Sequence, residues 1–203
     1  MSPLPRLYAV ADASFYNPVE LAKFLFDGGV RLLQIRNKTA GAGELLEQVE
    51  TILSIAPTDA RVIVNDRPDI ARISGAAGVH LGQTDLPAMA ARAIIGSDRI
   101  LGLSTHNMEQ ALGADKLPVD YVAVGPVFPT STKLNADPIV GLDGLAAICK
   151  AIHKPVVAIG GIQLENARQV LDAGAHSVAV IRDLLSSKDV QARAREWIRA
   201  IGN

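Results

Sequence analysis

Several places in this chain hold residues that could bind and polarise an anion. Gln34, Arg36 and Lys38 are spaced by two. On an extended segment they share one face, while Leu33 and Ile35 share the other, so the polar trio is expected to point over the open end of a sheet. Two cations and an amide on one face suit a phosphate or pyrophosphate; a polar strand end meeting solvent is the plainer alternative. Asn65 and Asp66 close one apolar run, and Gln83 and Asp85 follow the next. One carboxylate at each of two neighbouring strand ends, with amides beside them, suits Mg2+, which takes few carboxylates, keeps waters and receives phosphate oxygens. Asp66 could equally cap a helix beginning near Pro68.

Residues 121–133 read Y-V-A-V-G-P-V-F-P-T-S-T-K. A buried strand is followed by a stop at Gly125, Pro126 and Pro129, then by Thr130, Ser131, Thr132 and Lys133. Such a stretch is an anion-binding lid or an ordinary polar loop. Gly160-Gly161 and Ile181-Arg182 follow two further apolar runs. Main-chain N–H groups at such turns can hold a phosphate, and Gly161 would allow close approach; a tight turn alone also explains two glycines.

Other chemistries find less support. His80, His106, His153 and His176 show no metal-ligand spacing, and the expected role of His80 and His106 is to fix loops by hydrogen bonds. Cys149 is the single cysteine, so neither a disulfide framework nor a clustered thiolate site can form within the chain. No nucleophile elbow or Cys-His pair occurs. Lys133 could form a Schiff base, but nothing near it in sequence would lower its pKa, so an electrostatic role is expected.

The chain has 203 residues, of which 49% are hydrophobic and only 4% aromatic, so its core must be aliphatic. Twenty Lys plus Arg against 21 Asp plus Glu give a formal net charge of -1, which argues against nucleic acid as a partner. No basic and apolar leader and no apolar run near the length of a membrane span is present, so a soluble, cytoplasmic protein without a membrane partner is expected. A homo-oligomer is left open.

These residues need a scaffold. Strand patterns are expected over residues 7–11, 31–36, 61–64, 78–81, 99–103, 121–124, 155–159 and 177–181. Helical patterns follow over 19–27, 43–56, 68–74, 86–95, 107–114, 142–152, 164–173 and 190–201, with Asn107 as a cap. The strand runs are continuously apolar, as in a parallel sheet covered by helices. Eight strand-helix units predict an α/β protein with a single (β/α)8 TIM barrel as one domain over residues 1–203. A doubly wound open sheet is the competing arrangement, but it usually has fewer strands, and no glycine-rich fingerprint follows the first strand. In a barrel the active site lies at the carboxyl ends of the strands, where the anion- and metal-binding candidates above cluster.

The ordered segments Q-I-R-N-K at 34–38, V-N-D at 64–66, H-L-G-Q-T-D at 80–85, G-L-S-T-H at 102–106, G-P-V-F-P-T-S-T-K at 125–133 and A-I-G-G-I at 158–162 resemble the thiamine phosphate synthase family over residues 7–197. The resemblance implies Mg2+-dependent joining of 4-amino-2-methyl-5-(diphosphooxymethyl)pyrimidine to a thiazole phosphate or carboxythiazole phosphate. Thiamine phosphate and pyrophosphate are the products, with carbon dioxide as well from the carboxylated thiazole, formed by a largely dissociative substitution without a protein nucleophile. The partners are then two phosphorylated small molecules. The resemblance further implies that Gln34, Ile35, Arg36, Asn37, Lys38, Asn65, Ser104 and Lys133 contact the pyrimidine diphosphate. Of these, Arg36, Lys38, Lys133 and Ser104 are the expected catalytic set. Asp66 and Asp85 are expected to hold Mg2+. Thr130, Ser131, Thr132, Gly161, Ile181 and the main chain of Arg182 are expected to hold the thiazole phosphate.

Two positions depart from the family pattern. Asn37 stands where an acidic residue is usual, and Arg182 where serine is common. Arg182 is expected to bend over the phosphate or, alternatively, to pair with Asp183. The related thiazole tautomerases typically carry histidine at the place of Pro126 and lack the full Asn-Asp, Asp and Lys set. A non-catalytic phosphate-binding barrel and a Schiff-base aldolase are further alternatives.

Overall fold

The computed structural model describes residues 3–130 and 138–202. Eight strands, β1 (Leu7–Asp12), β2 (Leu32–Arg36), β3 (Arg61–Asn65), β4 (Gly78–Leu81), β5 (Ile100–Thr105), β6 (Tyr121–Val124), β7 (Val156–Ile159) and β8 (Ser177–Val180), pair in parallel in sequence order, and β8 pairs with β1 to close the barrel. The helices between them are α1 (Pro18–Asp27), α2 (Ala42–Ile55), α3 (Pro68–Ser74), α4 (Ala88–Ile95), α5 (Met108–Asp115), α6 (Gly141–Ala151) and α7 (Leu164–Asp172). After β8 come a short α8 (Arg182–Leu185) and the closing α9 (Val190–Ile201). The (β/α)8 barrel predicted from alternation is the observed fold.

Alternation along each strand divides the molecule into two apolar layers. Leu33 and Ile35 of β2, Val62 and Val64 of β3 and Val122 and Val124 of β6 pack outward with Leu25, Val49, Ile52, Leu145 and Trp197 of the helices. A smaller cluster fills the lumen: Tyr8, Leu32, Ile63, Ile100, Tyr121, Ala123, Val157 and Ala179. The strands read as continuous apolar runs because both faces are buried, one against helices and one inside the barrel.

Most helix ends follow local chemistry. Asn17 accepts from the N–H groups of Val19 and Glu20 at 2.9 and 3.4 Å to start α1, and Asn107 accepts from Gln110 at 2.9 Å to start α5, as expected of these caps. The α4 helix begins at Ala88 rather than at 86, because Pro87 sits in an extended conformation before it. The α8 turn was not expected, since four residues carry no helical period. Tertiary contacts hold it. Arg193 of α9 donates to both carboxylate oxygens of Asp183 at 3.0 and 2.9 Å, and the indole N–H of the fully buried Trp197 donates to the same carboxylate at 2.5 Å. No helix among the described residues is long and apolar enough to cross a membrane.

Candidate active site

The carboxyl ends of β1 to β5 gather the charged side chains. The register sets Asp12 of β1 beside Arg36 of β2, and the Arg36 guanidinium donates to Asp12 Oδ2 at 2.5 Å. Asp12 is buried to 1% exposure and also accepts from the Ser14 N–H at 2.9 Å. Arg36 is thus a braced cation, and one N–H on this carboxylate leaves others of its five donors for a ligand. Sequence reasoning did not single out Asp12. Its signal was a carboxylate ending an apolar run, one strand away from the arginine.

Lys38 reaches across to Asp66, with its ammonium 3.0 Å from Oδ2. Asp66 has a left-handed backbone, φ 62°, the only positive φ among the described non-glycine residues. It does not cap α3: the N-cap position there is Arg67, with no side-chain cap bond. Such strain in a loop residue is commonest where a side chain is aimed for function. Asp85 accepts from the Gly82 N–H at 2.7 Å. Partial burial pushes its carboxyl above the usual range, the Gly82 N–H pulls the other way, and nearby Asp66 raises it further while Lys38 opposes. Two carboxylates that press on each other's charge, with one lysine between, fit a divalent cation. Among the described residues no group of three or more His, Cys, Asp or Glu could hold a metal. Two protein carboxylates, with water and phosphate oxygens completing the shell, is how Mg2+ is usually bound.

The polar trio divides instead of pointing together over the mouth. Gln34 is 6% exposed and faces the lumen, where its amide donates to the Tyr8 hydroxyl at 3.0 Å. Arg36 stands at the rim and Lys38 beyond it. Alternation sets Gln34 and Arg36 on the face opposite Leu33 and Ile35, but β2 ends at Arg36 before Lys38, and the barrel closes over Gln34. Ile35 is fully buried among the helices, so its side chain cannot line the mouth and only its main chain could meet a ligand. Asn37 also turns away. Its carbonyl accepts from the Thr39 and Ala40 N–H groups at 3.3 and 3.1 Å, and its amide donates to Gln48 at 3.0 Å. Neutral hydrogen bonds to the loop and to α2 thus occupy the place expected for an acidic residue.

Asn65 ends β3 in register with His80 of β4. His80 reaches into the barrel lumen. It is buried, with Nδ1 2.8 Å from the Tyr121 hydroxyl and Nε2 2.8 Å from Ser104 Oγ. The Gln83 amide donates to the Ser104 carbonyl at 2.6 Å, joining the β4 loop to the end of β5. His106 does fix a loop, with Nδ1 2.6 Å from the carbonyl of Gly125.

Among the described residues, the ends of β6 to β8 are built mostly from main chain. After β6 the chain crosses to β7, where the Val127 and Phe128 N–H groups donate to the carbonyls of Ile159 and Gly160 at 2.9 and 3.0 Å. Gly160 and Gly161 have φ of 98° and 65°. A Cβ on Gly161 would lie 2.5 Å from the Pro129 carbonyl oxygen and 2.7 Å from Phe128 Cβ. The glycine pair therefore serves the seating of the β6 loop as well as any anion. Ile181 is the N-cap of α8 and Arg182 its first residue. The Arg182 guanidinium lies 5.6 Å from the centroid of the Phe15 ring. The alternative pairing with Asp183 is not adopted, because Arg193 and Trp197 hold that carboxylate. Thr130 is described; Ser131, Thr132 and Lys133 lie outside the described residues.

A family model described as thiamine monophosphate synthase matches residues 7–184. The chain belongs to the thiamine monophosphate synthase family. It is 48% identical over 205 residues to a thiamine-phosphate synthase of Koribacter versatilis, covering 98% of this chain and 96% of that protein. A thiamine-phosphate synthase of Chlorobium phaeovibrioides is 44% identical over 196 residues, covering 96% and 93%. The solved structure of thiamine phosphate pyrophosphorylase from Pyrococcus furiosus superposes with a TM-score of 0.89 at 36% identity, covering 96% of this chain and 94% of that one. Membership of the thiamine monophosphate synthase family thus extends over both the side-chain half and the main-chain half of the mouth.

Proposed function

We propose that the chain, as a single barrel domain over residues 1–203, is a cytoplasmic thiamine phosphate synthase. It joins 4-amino-2-methyl-5-(diphosphooxymethyl)pyrimidine to a thiazole phosphate, with or without a carboxylate, and releases pyrophosphate, together with carbon dioxide when the thiazole carries the carboxylate. The observation that carries this reading is the grouping of braced Arg36, Lys38, Asp66 and Asp85 at one end of a barrel whose family membership is established. Family likeness supports the transferase class; the substrates and mechanism are our extension of it.

In this reading Asp66 and Asp85 hold Mg2+, which when bound supplies positive charge to the diphosphate. Arg36 donates to the diphosphate from a fixed position, because Asp12 holds its guanidinium. Lys38 exchanges Asp66 for a phosphate oxygen when substrate enters. Lys133 is assigned by the family resemblance as a third cation. As the bond from the pyrimidine methylene to the diphosphate oxygen breaks, negative charge grows on the leaving group, and prepositioned cations favour that state over the bound ester. The aminopyrimidine ring spreads the positive charge left behind. The thiazole nitrogen then forms the new bond, so no protein nucleophile is used. Gln34, Asn65 and Ser104 orient the pyrimidine. Thr130, Ser131, Thr132, Gly161, Ile181 and the main chain of Arg182 hold the thiazole phosphate.

The test is direct: purified protein, both substrates and Mg2+, with thiamine phosphate detected by mass spectrometry. Product that disappears with chelator and returns with Mg2+ is the expected result. Folded protein that makes none, and instead isomerises the carboxythiazole, would move the chain to the tautomerases. Pro126, where those enzymes carry histidine, weighs against that outcome.

A further inference from the structure

A chain of hydrogen bonds crosses the barrel lumen beneath the site. The Gln34 amide donates to the Tyr8 hydroxyl at 3.0 Å, the Tyr8 and Tyr121 hydroxyls are 3.0 Å apart, the Tyr121 hydroxyl is 2.8 Å from His80 Nδ1, and His80 Nε2 is 2.8 Å from Ser104 Oγ. Its two ends, Gln34 and Ser104, are residues assigned above to the pyrimidine. Its middle three residues have no role in that assignment. We propose that Tyr8, Tyr121 and His80 are positioning residues, and that this chain runs in one proton direction, making Gln34 an acceptor and Ser104 a donor toward the bound ring.

The direction follows from counting protons. Both tyrosines are fully buried, and burial raises their phenols well above the ordinary value, so each oxygen keeps its single proton. A phenol has one hydrogen to give. The Gln34 amide N–H points at Tyr8, so Tyr8 gives its proton to Tyr121, and Tyr121 gives its own to His80 Nδ1. His80 must then carry its proton on Nε2 and donate to Ser104 Oγ. The Ser104 hydroxyl proton is left to point elsewhere, and the Gln34 carbonyl oxygen is the part of the amide not turned to Tyr8. A donor at one end and an acceptor at the other suit a heteroaromatic ring that carries an amino group next to a ring nitrogen. Reversing any one link would set two hydrogens or two lone pairs face to face, so the chain switches only as a whole.

The scaffold protects this arrangement. The Tyr8 and Tyr121 rings meet edge to face, 6.0 Å apart at 83°. Gly102, in register with Tyr121 on the neighbouring strand, leaves the space for its ring: a Cβ there would lie 2.0 Å from Tyr121 Cζ. An aliphatic barrel that spends two of its few aromatics and a glycine on a buried polar line does so against the grain of core packing, since such a line is stable only when every member is satisfied.

The inference rests on the proposed pyrimidine site, and two measurements separate the two ideas. The first is the His80 tautomer, read from nitrogen-15 shifts of histidine-labelled protein without ligand. Wild type and Tyr8→Phe should both carry the proton on Nε2, because Tyr121 still donates to Nδ1. Tyr121→Phe should lose that preference. A proton on Nδ1 in the wild type would overturn the inference, whatever the enzyme makes. The second is steady-state kinetics of Tyr8→Phe and Tyr121→Phe, both close to volume-conserving. Each should raise KM for the pyrimidine substrate by about tenfold, the scale of one directed hydrogen bond, with KM for the thiazole phosphate unchanged. Equal change for both substrates, or none, would reduce the chain to a core filler. If the wild type makes no thiamine phosphate while the Nε2 tautomer is found, the assigned function fails and the polarised chain stands.

Discussion

The two halves of the barrel mouth are made differently. At the ends of β1 to β5 the working parts are side chains: Asp12, Arg36, Lys38, Asp66 and Asp85, each tied to another by an ion pair, a hydrogen bond or mutual repulsion. At the ends of β6 to β8 the parts among the described residues are mostly main chain: the crossing of residues 127–128 onto β7, the left-handed Gly160-Gly161 turn and the start of α8. The first half suits a leaving group whose charge changes during reaction, because charged side chains respond most strongly to it. The second suits a phosphate that stays bound and unchanged, for which fixed N–H dipoles are enough. If this division is right, substitutions in the first half should act on kcat and those in the second on KM for the thiazole phosphate.

The largest effect should come from the carboxylate pair. Asp66→Ala and Asp85→Ala are each expected to lower kcat by about 100-fold to 1000-fold and to shift the Mg2+ dependence to higher concentration, with thermal unfolding little changed for Asp85→Ala and modestly lowered for Asp66→Ala, whose φ of 62° disfavours alanine. Turnover and metal dependence equal to wild type in both variants would remove the metal from this half.

Gly161→Ala tests the other half. Its φ of 65° and the 2.5 Å approach of the Pro129 carbonyl predict a loss of about 1–3 kcal/mol in unfolding free energy. A higher KM for the thiazole phosphate should accompany it, with KM for the pyrimidine unchanged. Denaturant unfolding and kinetics on the same preparation check both. A drop in kcat alone would break the comparison.

The smallest effect belongs to Arg182→Ser, which restores the residue common in the family. The guanidinium now rests over Phe15, an exposed cation-π contact worth about 0.5–1 kcal/mol, and the backbone donors remain. Unfolding free energy should fall by about that amount, and KM for either substrate should change by less than about twofold, because only the main chain of Arg182 is assigned to the phosphate. A larger, equal effect on both substrates would place this side chain in the diphosphate half.

The side-chain half was legible because charge and period-two spacing survive in a linear sequence. Arg36, Lys38, Asp66 and Asp85 could be picked out by type and by their positions after apolar runs. Asp12 was passed over because its meaning comes from register: only the pairing of β1 with β2 sets it against Arg36. His80, Tyr8 and Tyr121 were missed for the same reason. Each stands alone within its own strand, and the line they form runs across the barrel rather than along the chain. Ile35 and Asn37 enter the expected site because the resemblance spans residues 34–38, yet alternation and a loop turn direct their side chains away.

What the sequence determined by itself was the alternation of eight apolar strands with amphipathic helices, and with it the barrel, because parallel strands covered by helices leave few other closures. It also determined which end is polar, since Gly, Asn, Asp, Ser and Lys follow the strands. Tertiary structure alone decided which face of each strand end meets the lumen, the helices or the mouth. It decided that Asp183 belongs to Arg193 and Trp197 and not to Arg182, and that a four-residue turn becomes a helix. The physical reason is distance. Strand and helix preferences act over a few residues, whereas ion pairs and hydrogen bonds between strand ends depend on closure of the whole barrel, which joins β8 to β1.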